Sequence, residues 1–254
     1  MSLPPQPWPT GDAEQLEPLV RRVLAPNASP FTYTGTQTYL VGGDEGLAVI
    51  DPGPAEAEHL EALQSAIGGA KVCAIMCTHT HRDHSPAAAP LAEATGAPIV
   101  GCAPLHIHSD APRVDAPFDQ SYEPDRVMEH GEAMTGPGWT LRAVATPGHT
   151  SNHLCFALEE SGAVFTGDHV MGWATTVVAP PDGNMRDYMT SLERLLQRPE
   201  SVYLPGHGGV VRDAHGYVEE LKAHRLGRER SILDRLGDTP VSIPDLVLQI
   251  YDDL

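Results

Sequence analysis

Three histidines and an aspartate crowd into six consecutive positions of this chain: His79, His81, Asp83 and His84, within Thr78-His79-Thr80-His81-Arg82-Asp83-His84. Neutral imidazole and carboxylate are ligands that divalent zinc prefers. Burying four such groups together without partners is costly, so ordinary packing explains the cluster poorly. The cluster follows an apolar run, Val72 to Cys77, that reads as a strand. A metal held at a strand end points to hydrolytic chemistry.

Three other places put a ligand-type residue in a turn after a strand. They are Thr146-Pro147-Gly148-His149-Thr150, Phe165-Thr166-Gly167-Asp168 and Tyr203-Leu204-Pro205-Gly206-His207-Gly208-Gly209. In each, glycine allows a sharp bend that turns the side chain toward a shared cleft. A lone Gly-His or Gly-Asp is ordinarily a turn residue; beside the histidine cluster, the set of three gains meaning. Loops on a rigid scaffold are where catalytic groups usually sit.

The elements that must carry these residues alternate. Thr32 to Gly42 alternates polar and β-prone residues and is expected to be a strand. Leu47 to Ile50 is a short buried strand that stops at Asp51-Pro52-Gly53-Pro54. Residues 55–67 place Leu60, Leu63 and Ile67 at helical spacing. Strand Val72–Cys77, a helix over about 86–95 and a strand at Pro98–Val100 follow, which is an α/β order. Residues 103–138 read as loop with short strands; His106, His108 and His130 in it are expected to be exposed or locally bonded. Strands are expected at 139–144, 153–158, 163–166 and 201–204, with a helix over 185–198 capped by Asn184. Asp213 opens a long helix to about Leu236, and a final helix covers 244–251. Strands in both halves with helices between them pack naturally as a two-layered sandwich with helices outside.

The chain has 254 residues, enough for one large domain with a small appendix. Hydrophobic residues make up 41% and charged residues 20%, which supports a packed core and excludes global disorder. The start, Met1 to Thr10, is Pro-rich without the apolar stretch of a secretory signal, and no run of about 18 apolar residues occurs. Cys73, Cys77, Cys102 and Cys155 lie in or beside apolar runs and read as buried reduced thiols. A cytoplasmic location without membrane association is the expectation. The net charge of −18 repels polyanions and disfavours non-specific nucleic-acid binding.

Asp51, the run His79 to His84, His149, Asp168 and His207 together resemble the five signature motifs of the metallo-β-lactamase superfamily. The resemblance implies an αββα sandwich, of mixed α+β and α/β character, with a dinuclear site at one edge of the sheets. It implies that His79, His81 and His149 hold one metal, that Asp83, His84 and His207 hold the other, and that Asp168 bridges them. Asp51 would orient a ligand rather than bind metal. Gly35 to Val41, the Thr146 to Thr150 turn, the Thr175-Thr176 pair and Arg186 to Leu192 resemble the β-lactamase-like protein 2 branch, with Gln37 where Asn is more familiar. That branch implies a hydrolase domain over 1–212 and a short helical, winged-helix-like appendix over 213–254, incomplete relative to the branch.

Diiron members of the superfamily tend to carry Glu where His81 stands, so imidazole there favours zinc, two ions per chain. Two Zn²⁺ sharing a water would bring its pKa toward neutral, with Asp83 as the catalytic residue that also binds metal. His169 is a weaker candidate as proton donor. The expected substrate is a small-molecule thioester or ester. The alternative is a single-strand endoribonuclease, for which Arg225, Arg228, Arg230 and Arg235 would supply a basic strip or form a merely solvated face. A third reading is metal binding without turnover.

Overall fold

In the computed structural model the described residues are 8–105, 117–237 and 240–251. His106 and His108 lie outside them. The chain divides into two units, residues 1–214 and 215–254.

The first unit opens with β1 (Ala13–Glu17) and β2 (Val20–Leu24), then β3 (Gln37–Gly43) and β4 (Gly46–Ile50). Helix α1 (Ala57–Ile67), β5 (Val72–Cys77), α2 (Ala88–Thr95), β6 (Ile99–Gly101) and β7 (Arg126–Val127) follow. These seven strands make one sheet in chain order, antiparallel through β4 and parallel from β4 to β7. The rest of the unit supplies β8 (Ala133–Gly136), β9 (Trp139–Ala145), β10 (Leu154–Leu158), β11 (Ala163–Gly167), α3 (Met185–Leu196) and β12 (Val202–Pro205). They form a five-stranded sheet ordered β12-β11-β10-β9-β8, parallel only at β11 and β12.

The sheets face each other across a continuous apolar core. Strands β4, β5, β10 and β11 are buried along most of their length, as expected of strands covered on both faces. Tyr39 packs against Phe165 with ring centroids 5.0 Å apart, and Trp139 Nε1–H donates to Gly46 O (3.0 Å), joining one sheet to the other. Helices α1 and α2 bury Leu63, Ile67 and Leu91 toward this core, while α3 buries Tyr188, Leu192 and Leu195. Two sheets flanked by helices are the layers anticipated from the sequence.

Two local differences have physical reasons. The strand expected from Thr32 begins only at Gln37. Tyr33 and Gly35 take φ of 58° and 130°, incompatible with an extended strand. The loop before β3 is knit by Asn27, whose Oδ1 accepts from Thr36 N–H (2.8 Å), and by Ser29, whose Oγ accepts from Phe31 and Thr32 N–H (3.1 Å each). The β1–β2 hairpin carries no alternation in its sequence, because β1 is mostly exposed edge.

The second unit holds α4 (Ala214–Leu233, its first residue belonging to the first unit) and α5 (Ile243–Ile250). Ser242 caps α5 by accepting from Asp245 N–H (3.3 Å). Arg228 lies 4.2 Å over the Tyr251 ring, and Arg235 Nε–H donates to Gln249 O (3.2 Å). Two of the four arginines considered as a basic strip or a solvated face thus tie the helices of this unit together.

Candidate metal centre

Strands β4, β5, β9, β11 and β12 all end at one edge of the sandwich, and each delivers a residue singled out from the sequence. Asp51 follows β4, the histidine cluster follows β5, His149 follows β9, Asp168 follows β11 and His207 follows β12. The turns bring them together. His79 Nε2 and His149 Nε2 each lie 3.1 Å from His81 Nδ1. His84 Nε2 and His207 Nε2 are 3.3 Å apart, and Asp83 Oδ2 lies 3.4 and 3.1 Å from them.

Asp168 stands between these groups. Its Oδ1 faces His84 Nε2 (3.4 Å) and His207 Nε2 (3.3 Å), while its Oδ2 faces His149 Nε2 (3.6 Å). Two sets of donors result, each able to hold a metal ion: His79, His81, His149 and Asp168, and Asp83, His84 and His207. Tetrahedral zinc with ligand bonds of about 2.0–2.1 Å needs donor atoms about 3.3–3.4 Å apart. The observed spacings of 3.1–3.6 Å fit that requirement. All ligand-type residues are buried except Asp83, which is partly exposed.

Hydrogen bonds set which imidazole nitrogen is free. His84 Nδ1–H donates to Asp51 Oδ2 (3.0 Å), His149 Nδ1–H to Val177 O (2.6 Å) and His207 Nδ1–H to Gly35 O (3.2 Å). Thr78 donates its hydroxyl to Asp51 Oδ2 (2.7 Å), so it accepts from His79 Nδ1–H (3.0 Å). In all four rings Nδ1 is engaged and Nε2 is the nitrogen that faces the centre, the orientation metal-binding histidines require. His81 instead turns Nδ1 inward and lies flat on Phe118, with centroids 4.7 Å apart.

Asp51 binds no neighbour in either donor set except through His84. Its carboxylate accepts from Thr78 N–H (2.7 Å), the Thr78 hydroxyl and His84 Nδ1–H. It holds φ of 48°, an uncommon backbone for a non-glycine residue, secured by Thr38 Oγ1–H donating to Asp51 O (2.7 Å).

Charge divides the centre. Burial, then the neighbouring His84 and His81, hold His79 far below the ordinary imidazole value. Burial first, then His81, bring His149 to about 4. Burial alone would also lower His84 and His207, but carboxylates override it. Asp83, Asp168 and Asp51 raise His84 well above its usual value, and Asp168 and Asp83 raise His207 to about 10. Burial would raise Asp83 and Asp168, yet the adjacent His84 and His207 hold both carboxyls far below the usual range. Without metal, protonated His84 and His207 supply the positive charge that the carboxylates demand.

Some supporting residues carry no strong signal in the sequence. Buried His153 stacks on His79 at 5.1 Å; its Nε2 accepts from Asp168 N–H (3.3 Å) while Nδ1–H donates to Thr146 Oγ1 (2.9 Å). Its place shortly past the His149 turn was the available hint. His169, considered as a proton donor, is fully buried against Tyr188, with neither ring nitrogen hydrogen-bonded to a described residue. Burial brings it to about 3, which suits a packed neutral ring rather than a donor. His130 is exposed and accepts from Ala145 N–H (3.3 Å), a local bond as expected.

The profile of the metallo-beta-lactamase superfamily matches residues 32–207. The chain belongs to that superfamily. An atrochrysone carboxyl ACP thioesterase from Claviceps purpurea is 31% identical over 250 residues, covering 95% of this chain and 75% of its own. A beta-lactamase-like protein 2 homolog from Caenorhabditis elegans is 32% identical, covering 94% and 79%. A metallo-beta-lactamase family protein from Thermus thermophilus shares the fold, with a TM-score of 0.72 at 24% identity over 93% of this chain and 89% of its own. Within this superfamily member, a cavity of about 170 Å³ opens onto the donor sets. Pro30, Phe31, Met171, Trp173, Ala174 and Val177 give it apolar walls, and among its described lining residues none is Lys or Arg.

Proposed function

We propose that this chain is a dinuclear zinc hydrolase that cleaves small-molecule thioesters, with His79, His81 and His149 on one ion, Asp83, His84 and His207 on the other, and Asp168 shared. The placement of Asp168, one oxygen toward each histidine set, carries this reading. Bound zinc would lower the pKa of coordinated water and polarise the scissile carbonyl. Imidazole at His81, rather than carboxylate, supports zinc over iron.

The chain's own groups do the rest. Asp83, the most exposed of the donors and ionised by its histidine neighbours, is placed to orient the nucleophile and accept its proton. Asp51 and Thr78 fix the ring tautomers, and the apolar walls exclude water from the acyl side. The thioesterase relative supports thioester over other esters. The single-strand ribonuclease reading finds less support, since no Lys or Arg occurs among the described residues lining the cavity. The four cysteines, all free thiols, agree with a reducing cytoplasm.

The test is metal analysis with a substrate panel of thioesters, oxygen esters, lactones and single-stranded RNA. Two zinc ions per chain and chelator-sensitive thioester turnover are expected. RNA cleavage without thioester turnover would overturn the assignment, and metal binding with no turnover of anything would leave a binding module.

A further inference from the structure

We propose that the cavity above the donor sets is an acyl pocket, and that Trp173 and Phe31 restrict it to compact apolar acyl groups about the size of one six-membered ring. This rests on the thioesterase reading and names its substrate class.

The floor of the cavity is formed by His81, Asp83, His149, Asp168 and His207, so the scissile carbonyl must lie there. Either the acyl group or the thiol arm then fills the space above. A carrier-type thiol arm is long and rich in amides, whereas the side chains of Pro30, Phe31, Met171, Ala174 and Val177 offer no hydrogen bond, leaving Thr175 and the indole N–H of Trp173 as the polar groups of the described walls. The acyl group is the occupant that loses least on entering. An apolar cavity of about 150 Å³ admits benzene; this cleft measures about 170 Å³, part of which lies between the donor side chains. A fused ring or long chain would have to extend past Phe31 at the open rim, out of apolar contact.

The walls are built to hold their position. Trp173 stacks on Tyr33 with centroids 4.8 Å apart and planes 10° from parallel. Tyr33 sits at φ of 58° in the loop knit by Asn27 and Ser29, and its N–H donates to Ser29 O (2.8 Å). The same loop presents Phe31, 54% exposed, at the rim. Phe31 lines the same cavity as Met171, Trp173 and Val177, so it extends one apolar patch rather than standing alone.

The experiment is a series of thioesters sharing one short thiol, N-acetylcysteamine, with acetyl, hexanoyl, benzoyl, naphthoyl and dodecanoyl groups. The zinc-loaded full chain should show kcat/KM at least tenfold higher for benzoyl and hexanoyl than for naphthoyl and dodecanoyl. Trp173→Ala should raise naphthoyl turnover relative to benzoyl at least tenfold, while Trp173→Phe keeps the wild-type order. Should Trp173→Ala fail to fold, Val177→Phe reads the same wall from the opposite direction, lowering benzoyl turnover through KM and sparing acetyl. Binding of benzoate and 2-naphthoate, followed by tryptophan fluorescence, gives a readout without turnover, and benzoate should bind at least tenfold tighter. Less than threefold variation across the acyl series, or equal binding of both acids, overturns the pocket while leaving the thioesterase reading intact. Absence of turnover with selective benzoate binding overturns the thioesterase reading and keeps the pocket.

Discussion

Gln37 brackets His207. Its backbone N–H donates to Gly206 O (2.8 Å) and its side-chain Nε2–H to Gly208 O, so one residue of β3 holds both neighbours of the β12 histidine. The other end of the amide accepts from Arg22 Nη1–H (2.8 Å), which fixes its orientation. Gln37→Ala removes the side-chain clamp but keeps the backbone bond. Affinity for the ion at Asp83, His84 and His207 should fall about 10–100-fold, with the other set unaffected. A two-step metal titration measures this; equal weakening of both steps would reduce Gln37 to general packing.

Asp51 accepts from three donors, and every one of them touches the histidine cluster. Asp51→Asn keeps the shape but sets an NH₂ group against a donor. The cost in stability should be about 1–3 kcal/mol, and zinc content should drop because the His84 and His79 rings lose their orientation. Denaturant unfolding and metal analysis test both parts. Unchanged zinc content would remove Asp51 from the support of the centre.

The division of charge predicts ordered loading. Ligand imidazoles must be neutral. His149, at about 4, and His79 release no proton at pH 7, whereas His207, at about 10, and His84 must each give one up. The ion at the His79 side should therefore load first, with no proton released by His79 or His149. The second should bind more tightly as pH rises and release roughly two protons at pH 7. Calorimetry in buffers of different ionisation heat counts those protons, and equal release for both ions would contradict the assignment.

The same shifts set the stability of the metal-free chain. His207 is raised above the ordinary 6.5, so its contribution is complete below that pH and is lost as pH climbs through about 10. His149 and His59 are lowered to about 4 by burial; the unfolded chain takes up their protons first, and stability is lost as pH falls from 6.5 toward 4. Asp83 and Asp168, held below 3.8, add stability above that pH that disappears on further acidification. Metal-free protein should be most stable near neutrality, and chemical unfolding between pH 4 and 10 should show a maximum there. A monotonic profile would show that these buried groups do not control folding.

Much of the centre was legible because its ligand-type residues are polar groups set against apolar strands, with glycines marking each turn. His79, His81, Asp83, His84, His149, Asp168 and His207 all reach one edge of the sheets, where strand-end placement put them. The supporting roles not read from the sequence act through backbone atoms or aromatic faces. Gln37 works on two carbonyls, and His153 on the amide of Asp168 and the ring of His79. No residue type announces such bonds, since their partners lie far away in sequence. The β1–β2 hairpin was hidden for a different reason: an exposed edge strand needs no apolar face, so its sequence keeps no period.

The His149 turn depends on α3 behind it. Asn184 Oδ1 accepts from Arg186 and Asp187 N–H (2.9 and 3.2 Å), while its own N–H donates to Gly148 O (2.9 Å). The residue that starts the helix thus also holds the backbone beside His149. Asn184→Ala should cost about 1 kcal/mol of stability, while its backbone bond still anchors the turn, so zinc content should persist. Gly148→Ala is different in kind. At φ of 143°, its Cβ would meet the Tyr188 backbone at 2.3–2.5 Å, and the rigid helix cannot yield. We expect it to destabilise by about 3 kcal/mol and to displace His149, so that the ion at the His79 side is lost. Thermal melts of the two variants with metal analysis separate the effects. If Gly148→Ala retained full zinc at both sites, the close approach of α3 would not be what aims His149 at the centre.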